Sequence, residues 1–375
     1  MVDCKTFCAA LGESGVDFFA GVPDSLLKSF CAFIADTLPS ERRVTAANEG
    51  GAVALAAGHY LATSRPALVY MQNSGEGNAV NPLASLADPD VYGIPMILLI
   101  GWRGEPGVHD EPQHVKQGKI TTSLLEVLGI PWRVLPEETA EAVAAVRELT
   151  ARAAKESRPV ALVVQKGAFA PYTMQKAVET GPLPREEVIA TLTACLPEDA
   201  VVVSTTGHIS RELYECRERT NQGHARDFLT VGSMGHASQI ALAIALAKPE
   251  RPVVCLDGDG AALMHLGGWA IAGQSGARNL LHLVLNNGAH GSVGGQPTVG
   301  LSVRLTQVAE ACGYRSARRL EDLDSVRRAL EACDFRQGPV LFEIPVGVAA
   351  RKELGRPTTT PQQNKEALMR FLGSR

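Results

Sequence analysis

Leu256-Asp257-Gly258-Asp259-Gly260-Ala261 closes one short apolar run of the chain, and Asn286-Asn287 closes a later one. An Asp and an Asn at the ends of two strands offer the hard oxygen ligands that Mg²⁺ and Ca²⁺ prefer. The glycines let the backbone approach a phosphate closely, and the free amides of the following helix point toward it. The stretch therefore predicts an α/β fold that holds a diphosphate through a metal ion.

Short aliphatic runs alternate with Ala-rich helical stretches along the whole chain. Continuous apolar strands separated by helices are typical of parallel sheets that are covered on both faces. The predicted strands are residues 17–21, 43–46, 67–72, 96–101, 132–135, 160–165, 200–204, 228–231, 253–257, 280–286, 315–319 and 340–345.

A stretch without periodicity that contains three prolines, residues 169–185, separates two series of strands. Such a composition is typical of a linker. At 375 residues the chain is long enough for two domains, each with its own core. We therefore predict two parallel-sheet α/β domains, residues 1–168 and 186–375, with no middle domain.

The composition argues against several classes of protein. The net charge is only −4 and the basic residues are scattered, which argues against a nucleic-acid or anionic-membrane partner. No apolar run reaches the ~18 residues that indicate a membrane span, and the start lacks the pattern of a signal peptide, so we expect a cytoplasmic protein. The eight cysteines form no Cys-x-x-Cys pair, and we expect free thiols.

Two further features add to the predicted diphosphate site. Gly232-Ser233-Met234-Gly235 follows a predicted strand and places a flexible thioether between two glycines. In the first domain, Glu49 starts a helix in which Ala52 and Ala56 recur at one-turn spacing, so we expect that helix to pack closely.

With these features the chain resembles thiamine-diphosphate enzymes. The segments 258–260 and 286–287 are similar to that family's metal–diphosphate motif, and the Glu49 helix resembles its pyrimidine-activating segment. Residues 73–78 resemble the Gly-rich loop that comes next in the family. Some short members of the family, which decarboxylate phosphonopyruvate or sulfopyruvate, also have no middle domain. The chain resembles these members in that respect and in its segments 21–25, 101–107, 111–114 and 294–298.

The resemblance implies thiamine diphosphate as cofactor and Mg²⁺ held by Asp259, the Asn287 side chain and the Ala289 carbonyl. Glu49 would hydrogen-bond the pyrimidine ring, and Met234 would hold the two cofactor rings in a bent arrangement. The implied cofactor-binding residues are Glu49, Ser74, Gly75, Asn78, Thr206, Gly207, Gly232, Ser233, Met234, Gly258, Asp259, Gly260, Ala261 and Asn287.

The same resemblance implies decarboxylation of a small 2-keto acid and provides candidates for the chemistry. The candidate catalytic residues are Glu49, Asp24, Ser25, His114 and His290. An anionic substrate needs hydrogen-bond donors or cations. The candidate substrate-binding residues are Arg103, His109, Lys116, Gly295 and Gln296. Asp24 could equally cap a helix that begins near Ser25, and Gly291 stands where the family leads us to expect an acid.

In the resembling enzymes the cofactor lies between the first domain of one subunit and the second domain of another, so we expect a homodimer or homotetramer. A nicotinamide oxidoreductase is the alternative from another chemistry, but Leu263 stands where its third glycine is required. A non-catalytic subunit is a third possibility. The presence of Glu49, Asp259 and Asn287 together argues against it.

Overall fold

The computed structural model describes residues 1–373, and the chain divides into two compact units. Unit 1 comprises Met1–Ala177, and unit 2 begins at Val178. Each unit is built on one sheet of six strands, and every pairing between neighbouring strands is parallel. The predicted α/β class with two parallel sheets is confirmed.

Unit 1 alternates strands and helices in the order expected for a parallel sheet. Its strands are β1 (Phe19–Gly21), β2 (Arg43–Thr45), β3 (Ala67–Gln72), β4 (Met96–Gly101), β5 (Trp132–Val134) and β6 (Pro159–Val164). Its α-helices are α1 (Cys4–Glu13), α2 (Lys28–Thr37), α3 (Glu49–Thr63), α4 (Glu76–Pro82), α5 (Pro112–Val127) and α6 (Thr139–Glu156). The strand order across the sheet is β2-β1-β3-β4-β6-β5.

Unit 2 repeats this plan. Its strands are β7 (Val201–Ser204), β8 (Asp227–Leu229), β9 (Val253–Gly258), β10 (Leu280–Asn286), β11 (Ser316–Arg319) and β12 (Val340–Pro345). Its α-helices are α7 (Arg185–Cys195), α8 (His208–Thr220), α9 (Ala237–Ala247), α10 (Asp259–Met264), α11 (Gly267–Gln274), α12 (Leu305–Cys312), α13 (Leu323–Glu331) and α14 (Pro361–Phe371). Its order, β8-β7-β9-β10-β12-β11, is the unit 1 order with six added to each number.

The central strands are apolar throughout because both faces of each sheet are covered. In β4, Ile97 and Leu99 join the cluster formed with α1, α2 and α6, whereas Leu98 and Ile100 join the cluster formed with α3 and α4. All four side chains are at most 1% exposed. This alternation is the two-residue period of a strand, and it explains why the strands have continuous apolar sequences.

The strand order predicts where a ligand binds in each unit. In the sheet of unit 1, β2 lies on one side of β1 and β3 lies on the other. The connection from β1 therefore runs toward β2, whereas the connection from β3 runs in the opposite direction toward β4. Ligands of parallel sheets gather outside the carboxyl ends of strands at such a switch point. In unit 1 this is the edge after Gly21 and Gln72, and in unit 2 the edge after Ser204 and Gly258.

Among the described residues, no helix is both long enough and apolar enough to cross a membrane.

Helix α5 lies against the loop that follows β4, and a glycine makes this possible. The Trp102 Nε1 donates to the Gly118 carbonyl over 2.8 Å. A Cβ at Gly118 would lie 1.7 Å from the Gly104 carbonyl oxygen, a backbone atom that cannot move by itself. The close approach of α5 to this loop therefore requires glycine at position 118.

We predict that Gly118→Ala destabilises the protein by ~1–3 kcal/mol, because α5 and the loop must separate to admit the methyl group. Thermal unfolding of the full chain measures the change. Gly58→Ala is the matched control, since Gly58 is an exposed helical glycine with open space around its Cβ. It should leave stability unchanged or raise it by about 0.5–1 kcal/mol. Equal effects of the two changes would contradict the packing argument.

Candidate active site

Glu49 is a buried carboxylate at the start of α3. Asn48 caps the helix, its side-chain oxygen accepting from the Gly51 amide over 2.9 Å. The Glu49 side chain is only 5% exposed, and its Oε2 accepts from Asn78 Nδ2 over 2.7 Å. The structure therefore brings Glu49 and Asn78, two predicted cofactor-binding residues, into direct contact.

Two glycines allow the Glu49 carboxylate to take this position. A Cβ at Gly75 would lie 2.3 Å from Glu49 Oε1, and a Cβ at Gly50 would lie 2.7 Å from the Asn78 carbonyl oxygen. Helices α3 and α4 can thus approach closely only with glycine at both positions. Ser74, beside Gly75, is exposed, and its hydroxyl accepts from the side-chain amide of Gln72 over 2.6 Å.

Arg103, in the loop after β4, is held by groups from two segments. Its Nε and Nη2 donate to the two oxygens of Asp110 over 2.8 and 2.5 Å, and its Nη1 donates to Ser25 Oγ over 2.8 Å. The Gly104 and Glu111 amides also donate to Asp110. The guanidinium is therefore fixed in orientation, with its charge balanced by Asp110.

Burial and pairing move the pKa values of this cluster in different directions. Complete burial raises the pKa of Asp24 to about 6, although backbone amides and Arg103 oppose the shift. Burial would also raise the pKa of Asp110, but the hydrogen bonds from Arg103 and two amides bring it well below its usual value. Burial, with Arg103 nearby, lowers the pKa of His114 to about 4. His114 is therefore a neutral imidazole at pH 7.

The interpretation of Asp24 as a helix cap is wrong. Helix α2 begins at Lys28, and its N-cap is Leu27. Asp24 instead accepts from the Leu26 amide over 2.9 Å within the preceding turn. A Cβ at Gly101 would lie 2.1 Å from Asp24 Oδ2, so the last residue of β4 must be glycine.

Two of the predicted substrate-binding residues do not join this cluster. His109 is exposed in the turn before Asp110, and Lys116 is exposed on α5. Residues two apart on a helix point in nearly opposite directions, so Lys116 faces away from the buried side that carries His114. A role for His109 or Lys116 in substrate binding stays a prediction.

The sequence analysis missed Asn73 and Asp110. Asn73 is buried, donates to the Arg103 carbonyl over 2.8 Å and accepts from the Arg103 amide over 3.2 Å. It thus joins the ends of β3 and β4. Asn73 lay in the quoted segment 73–78 but was given no role, and Asp110 lay in a polar segment between two quoted motifs.

In unit 2, Asp259 occupies the sheet edge predicted for the metal. Gly258 ends β9, and Asp259, Gly260 and Ala261 form the first turn of α10. Asp259 Oδ1 accepts from the Asn287 amide over 3.3 Å. Burial raises the pKa of Asp259 to about 6, against the hydrogen bond from Thr298. A buried carboxylate of this kind is a suitable partner for a cation.

Thr298 is a third residue that the sequence analysis did not assign. Its hydroxyl donates to Asp259 Oδ2. A Cβ at Gly300 would lie 2.6 Å from that oxygen, so the loop after β10 folds directly over the carboxylate. The quoted segment 294–298 already contained Thr298, but its sequence could not indicate which atom it would contact.

Asp257 and His282 connect the strands that carry these groups. Asp257 Oδ2 lies 3.3 Å from His282 Nε2, across the pair β9 and β10, and Tyr314 Oη lies 3.2 Å from His282 Nδ1. The carboxylate also accepts from the Gly258 amide over 3.0 Å. These contacts tie Asp257, near the end of β9, to the first half of β10.

The β7 and β8 connections converge on the same edge. Thr206 Oγ1 accepts from the Gly232 amide over 3.2 Å, which joins two predicted cofactor-binding segments. Gly207 precedes α8 with φ +96°, and Gly232, Ser233 and Gly235 also have positive φ. Ser233 is the non-glycine residue with a positive φ in this turn, a conformation that costs energy and is common at binding sites.

Met234 and His290 both reach Gly260. A Cβ placed on Gly260 would lie 3.4 Å from the Met234 methyl group and 3.1 Å from the His290 ring. Burial lowers the pKa of His290 to about 4, so this ring too is neutral at pH 7. The predicted thioether and imidazole are thus brought together at the first turn of α10.

The loop after β10 forms a compact turn around His290. Its amide donates to the Gln296 carbonyl over 2.8 Å, and its carbonyl accepts from the Gly295 amide over 3.0 Å. Ala289 bridges to Pro297. The Gln296 side chain is 3% exposed, and within residues 1–373 neither of its amide atoms has a hydrogen-bond partner. A buried, unpartnered amide is costly unless a ligand satisfies it.

Comparison with known proteins identifies the family. The description "thiamine pyrophosphate enzyme, N-terminal TPP binding domain" matches residues 5–125, and the corresponding C-terminal domain matches residues 205–344. A phosphonopyruvate decarboxylase from Streptomyces viridochromogenes is 38% identical over 97% of this chain and 93% of its own. The chain belongs to the thiamine diphosphate-dependent decarboxylases.

Two further relatives support the same placement of this decarboxylase. A phosphonopyruvate decarboxylase from Streptomyces hygroscopicus is 37% identical, over 97% of this chain and 92% of its own. A sulfopyruvate decarboxylase from Methanosarcina acetivorans is 29% identical, over 96% of this chain and 94% of its own. The predicted family is confirmed, and with it the two cofactor-binding domains without a middle domain.

The residues present fit this cofactor. Glycine at position 75 gives the Glu49 carboxylate the room it occupies, and glycine at position 260 leaves a gap between Met234 and His290 that a side chain would fill. Asp259 and Asn287 offer hard oxygen atoms at the edge where the diphosphate is expected. The decarboxylase therefore carries a set of groups suited to each end of thiamine diphosphate.

We predict that Gly75→Ala weakens thiamine diphosphate binding by about 10-fold or more, because the methyl group displaces the Glu49 carboxylate. Gly75 has a negative φ, so the change adds bulk without straining the backbone. Isothermal titration calorimetry measures the affinity. Gly77→Ala, two residues along the chain in α4, is the control, since open space surrounds its Cβ. Equal affinities for the two variants would contradict the assignment of Gly75.

Proposed function

We propose that the protein decarboxylates 3-phosphonopyruvate, consuming one proton and giving phosphonoacetaldehyde and carbon dioxide. The observation that carries the proposal is the 38% identity to a phosphonopyruvate decarboxylase along nearly the whole of both chains. The buried Glu49–Asn78 pair and the Asp259 edge support it, because the family resemblance assigns these groups to the two ends of the cofactor.

When bound, thiamine diphosphate supplies a cationic ring that accepts the electron pair left by the departing carbon dioxide. Asn78 donates a hydrogen bond to Glu49 Oε2, which leaves Glu49 Oε1 to share a proton with the pyrimidine nitrogen. A buried carboxyl suits this task because it can hold the proton without competition from water. The Gly232 carbonyl and the Met234 side chain would orient the rings.

Neutral imidazoles and a shifted carboxyl group provide the proton transfers. The pKa of Asp24 is raised by burial to about 6, close to the pH at which a general acid or base works best. His114 and His290 are neutral, so each can donate from one ring nitrogen and accept at the other. His114 Nδ1 is buried, and no described residue pairs with it, so it is available to substrate.

The substrate carries a carboxylate and a phosphonate. Arg103 and Ser25 are the proposed hydrogen-bond donors to these anionic groups in unit 1. In unit 2 the proposed donors lie in the segment of Gly295 and Gln296. Because Asp110 already balances Arg103, we infer that this site selects its substrate by directed hydrogen bonds. The exposed His109 and Lys116 would act at longer range by attracting the anion.

We further propose Mg²⁺ at Asp259, Asn287 and the Ala289 carbonyl, where it would bridge the protein to the diphosphate. Thr206, Gly207, Gly260 and Ala261 would donate to the same diphosphate. A homodimer or homotetramer, with each site between subunits, and a cytoplasmic location complete the proposal.

The decisive experiment compares phosphonopyruvate with sulfopyruvate under identical conditions, with thiamine diphosphate and Mg²⁺ present. We expect faster release of carbon dioxide from phosphonopyruvate. Glu49→Gln should reduce that rate by at least about 100-fold while the fold is retained, because an amide cannot transfer the proton. Faster turnover of sulfopyruvate would reassign the substrate, and an unchanged rate in Glu49→Gln would refute the role of this carboxyl.

We predict that Asp259→Asn lowers Mg²⁺ affinity by about 10-fold or more, measured by calorimetry in the presence of thiamine diphosphate. The change removes the negative charge that favours the cation and keeps the size of the side chain. Asp324→Asn is the control, since Asp324 is an exposed carboxylate on α13. Unchanged affinity in Asp259→Asn would place the metal elsewhere.

A further inference from the structure

Asn73 is a fully buried side chain at the point where the chain leaves β3. It begins the segment that carries Gly75 and Asn78, the two residues that lie against the Glu49 carboxylate. Neither the family resemblance nor the proposed reaction gives Asn73 a role. Burial of a side-chain amide is costly unless hydrogen bonds satisfy it, so its partners indicate what it contributes.

The side chain of Asn73 contacts one residue twice. Its Nδ2 donates to the Arg103 carbonyl over 2.8 Å, and its Oδ1 accepts from the Arg103 amide over 3.2 Å. The Nδ2 also donates to Thr121 Oγ1 on α5 over 2.9 Å. A backbone carbonyl can only accept and a backbone amide can only donate, so these partners fix the orientation of the side-chain amide.

This pair of bonds replaces backbone pairing where the two strands separate. β3 and β4 are paired as far as Gln72 and Gly101. Beyond these residues the chain continues toward α4 on one side and into the loop of residues 102–111 on the other. Asn73 offers one N–H and one C=O to Arg103, as a neighbouring strand would. Its side chain therefore holds the loop against the end of β3.

The other end of Arg103 is held within the loop itself. Asp110 accepts from the Nε and Nη2 of the guanidinium, and it too lies in residues 102–111. That ion pair shapes the loop but does not attach Arg103 to β3. Asn73 provides this attachment, so the position of the guanidinium relative to the cofactor-binding segment 73–78 depends on one buried amide.

We propose that Asn73 is a positioning residue for substrate binding. By holding the backbone of Arg103, it keeps the guanidinium where it can donate to the phosphonate of the keto acid, in a fixed position relative to the segment that contacts Glu49. Without the amide, Arg103 can shift while Glu49 keeps its contacts with Gly75 and Asn78. The proposal rests on the proposed role of Arg103 as a donor to the substrate.

The loss of a positioned donor has a specific kinetic signature. The phosphonate is remote from the bond that breaks, so Arg103 would bind the substrate and the transition state about equally. Loss of such an interaction raises KM and leaves kcat nearly unchanged. In Asn73→Ala we expect KM to rise about tenfold or more, because two buried backbone groups of Arg103 lose their partners, and kcat to change by less than about threefold.

Steady-state rates at saturating thiamine diphosphate and Mg²⁺ give both constants. Asn73→Asp is the second variant, since it has the same size, keeps the acceptor for the Arg103 amide and loses both donors. It should raise KM in the same way. Unchanged KM in both variants, or a fall in kcat alone, would overturn the proposal.

Thr121→Val is the matched control for a loss of stability without a loss of positioning. It removes the third bond of Asn73 and the bond that the Thr121 hydroxyl donates to the Gln117 carbonyl over 2.8 Å, and it leaves both bonds to Arg103. Thr121 is as fully buried as Asn73, so thermal unfolding should show a lower melting temperature in both variants. KM should change by less than about twofold in Thr121→Val. An increase equal to that of Asn73→Ala would mean that any loosening of this core suffices, and it would contradict the positioning role.

A double-mutant cycle with Arg103→Ala tests whether Asn73 acts through the guanidinium. Residues that act through one another give non-additive effects, whereas independent residues add. Once the guanidinium is absent, Asn73→Ala should raise KM further by less than about twofold. A further rise as large as in the wild-type background would refute the proposal. An unchanged KM in Arg103→Ala alone would refute the proposed donor and the role of Asn73 together.

The positioning role can be separated from the identity of the substrate. Methylphosphonate carries the anionic group without the keto acid, and calorimetry measures its affinity for the protein loaded with thiamine diphosphate and Mg²⁺. Asn73→Ala should weaken that binding by about tenfold, and Thr121→Val should not. This result would support the positioning role even if neither keto acid were turned over, which would count against the proposed function alone. Equal affinities in wild type and Asn73→Ala would overturn the positioning role whatever the substrate.

Discussion

The site in each unit depends on one constraint, which is that the strands of a parallel sheet all end at the same edge. Where the chain crosses from β2 to β3, and again from β8 to β9, neighbouring strands send their connections in opposite directions. The ends of β1, β3 and β4, and those of β7, β9 and β10, therefore supply the polar groups of the two sites. Helices on both faces then keep the strands themselves apolar.

At these edges the protein buries carboxyl groups and controls each by its partners. Asp24 and Asp259 receive mainly amide or hydroxyl donors, and burial raises the pKa of each to about 6. Asp110 receives a guanidinium as well as amides, and its pKa falls. Similar side chains thus come to differ in pKa because their burial and their hydrogen-bond donors differ. Glycines at positions 75 and 101 give two of these carboxyl groups, those of Glu49 and Asp24, the room they occupy.

Much of this arrangement could be predicted from the sequence because it depends on local patterns. All twelve predicted strands are found, with ends shifted by at most two residues, since fully buried strands have continuous apolar sequences. The contact of Glu49 with Asn78 lies between segments that the resemblance had already paired. By contrast, Asn73, Asp110 and Thr298 act through contacts that depend on how loops fold back, which no local pattern encodes. For the same reason the helix after Asp24 began later than its sequence suggested.

The shared strand order also has a historical meaning. Two halves of one chain that wind six strands in the same permutation are the expected outcome when an ancestral gene was duplicated and fused. Corresponding strand ends then diverged, so that the turn after β3 lies against the Glu49 carboxylate, whereas its counterpart after β9 carries the buried carboxylate of Asp259. Such an origin explains how two copies of one architecture came to present different polar groups at the same edge of the sheet.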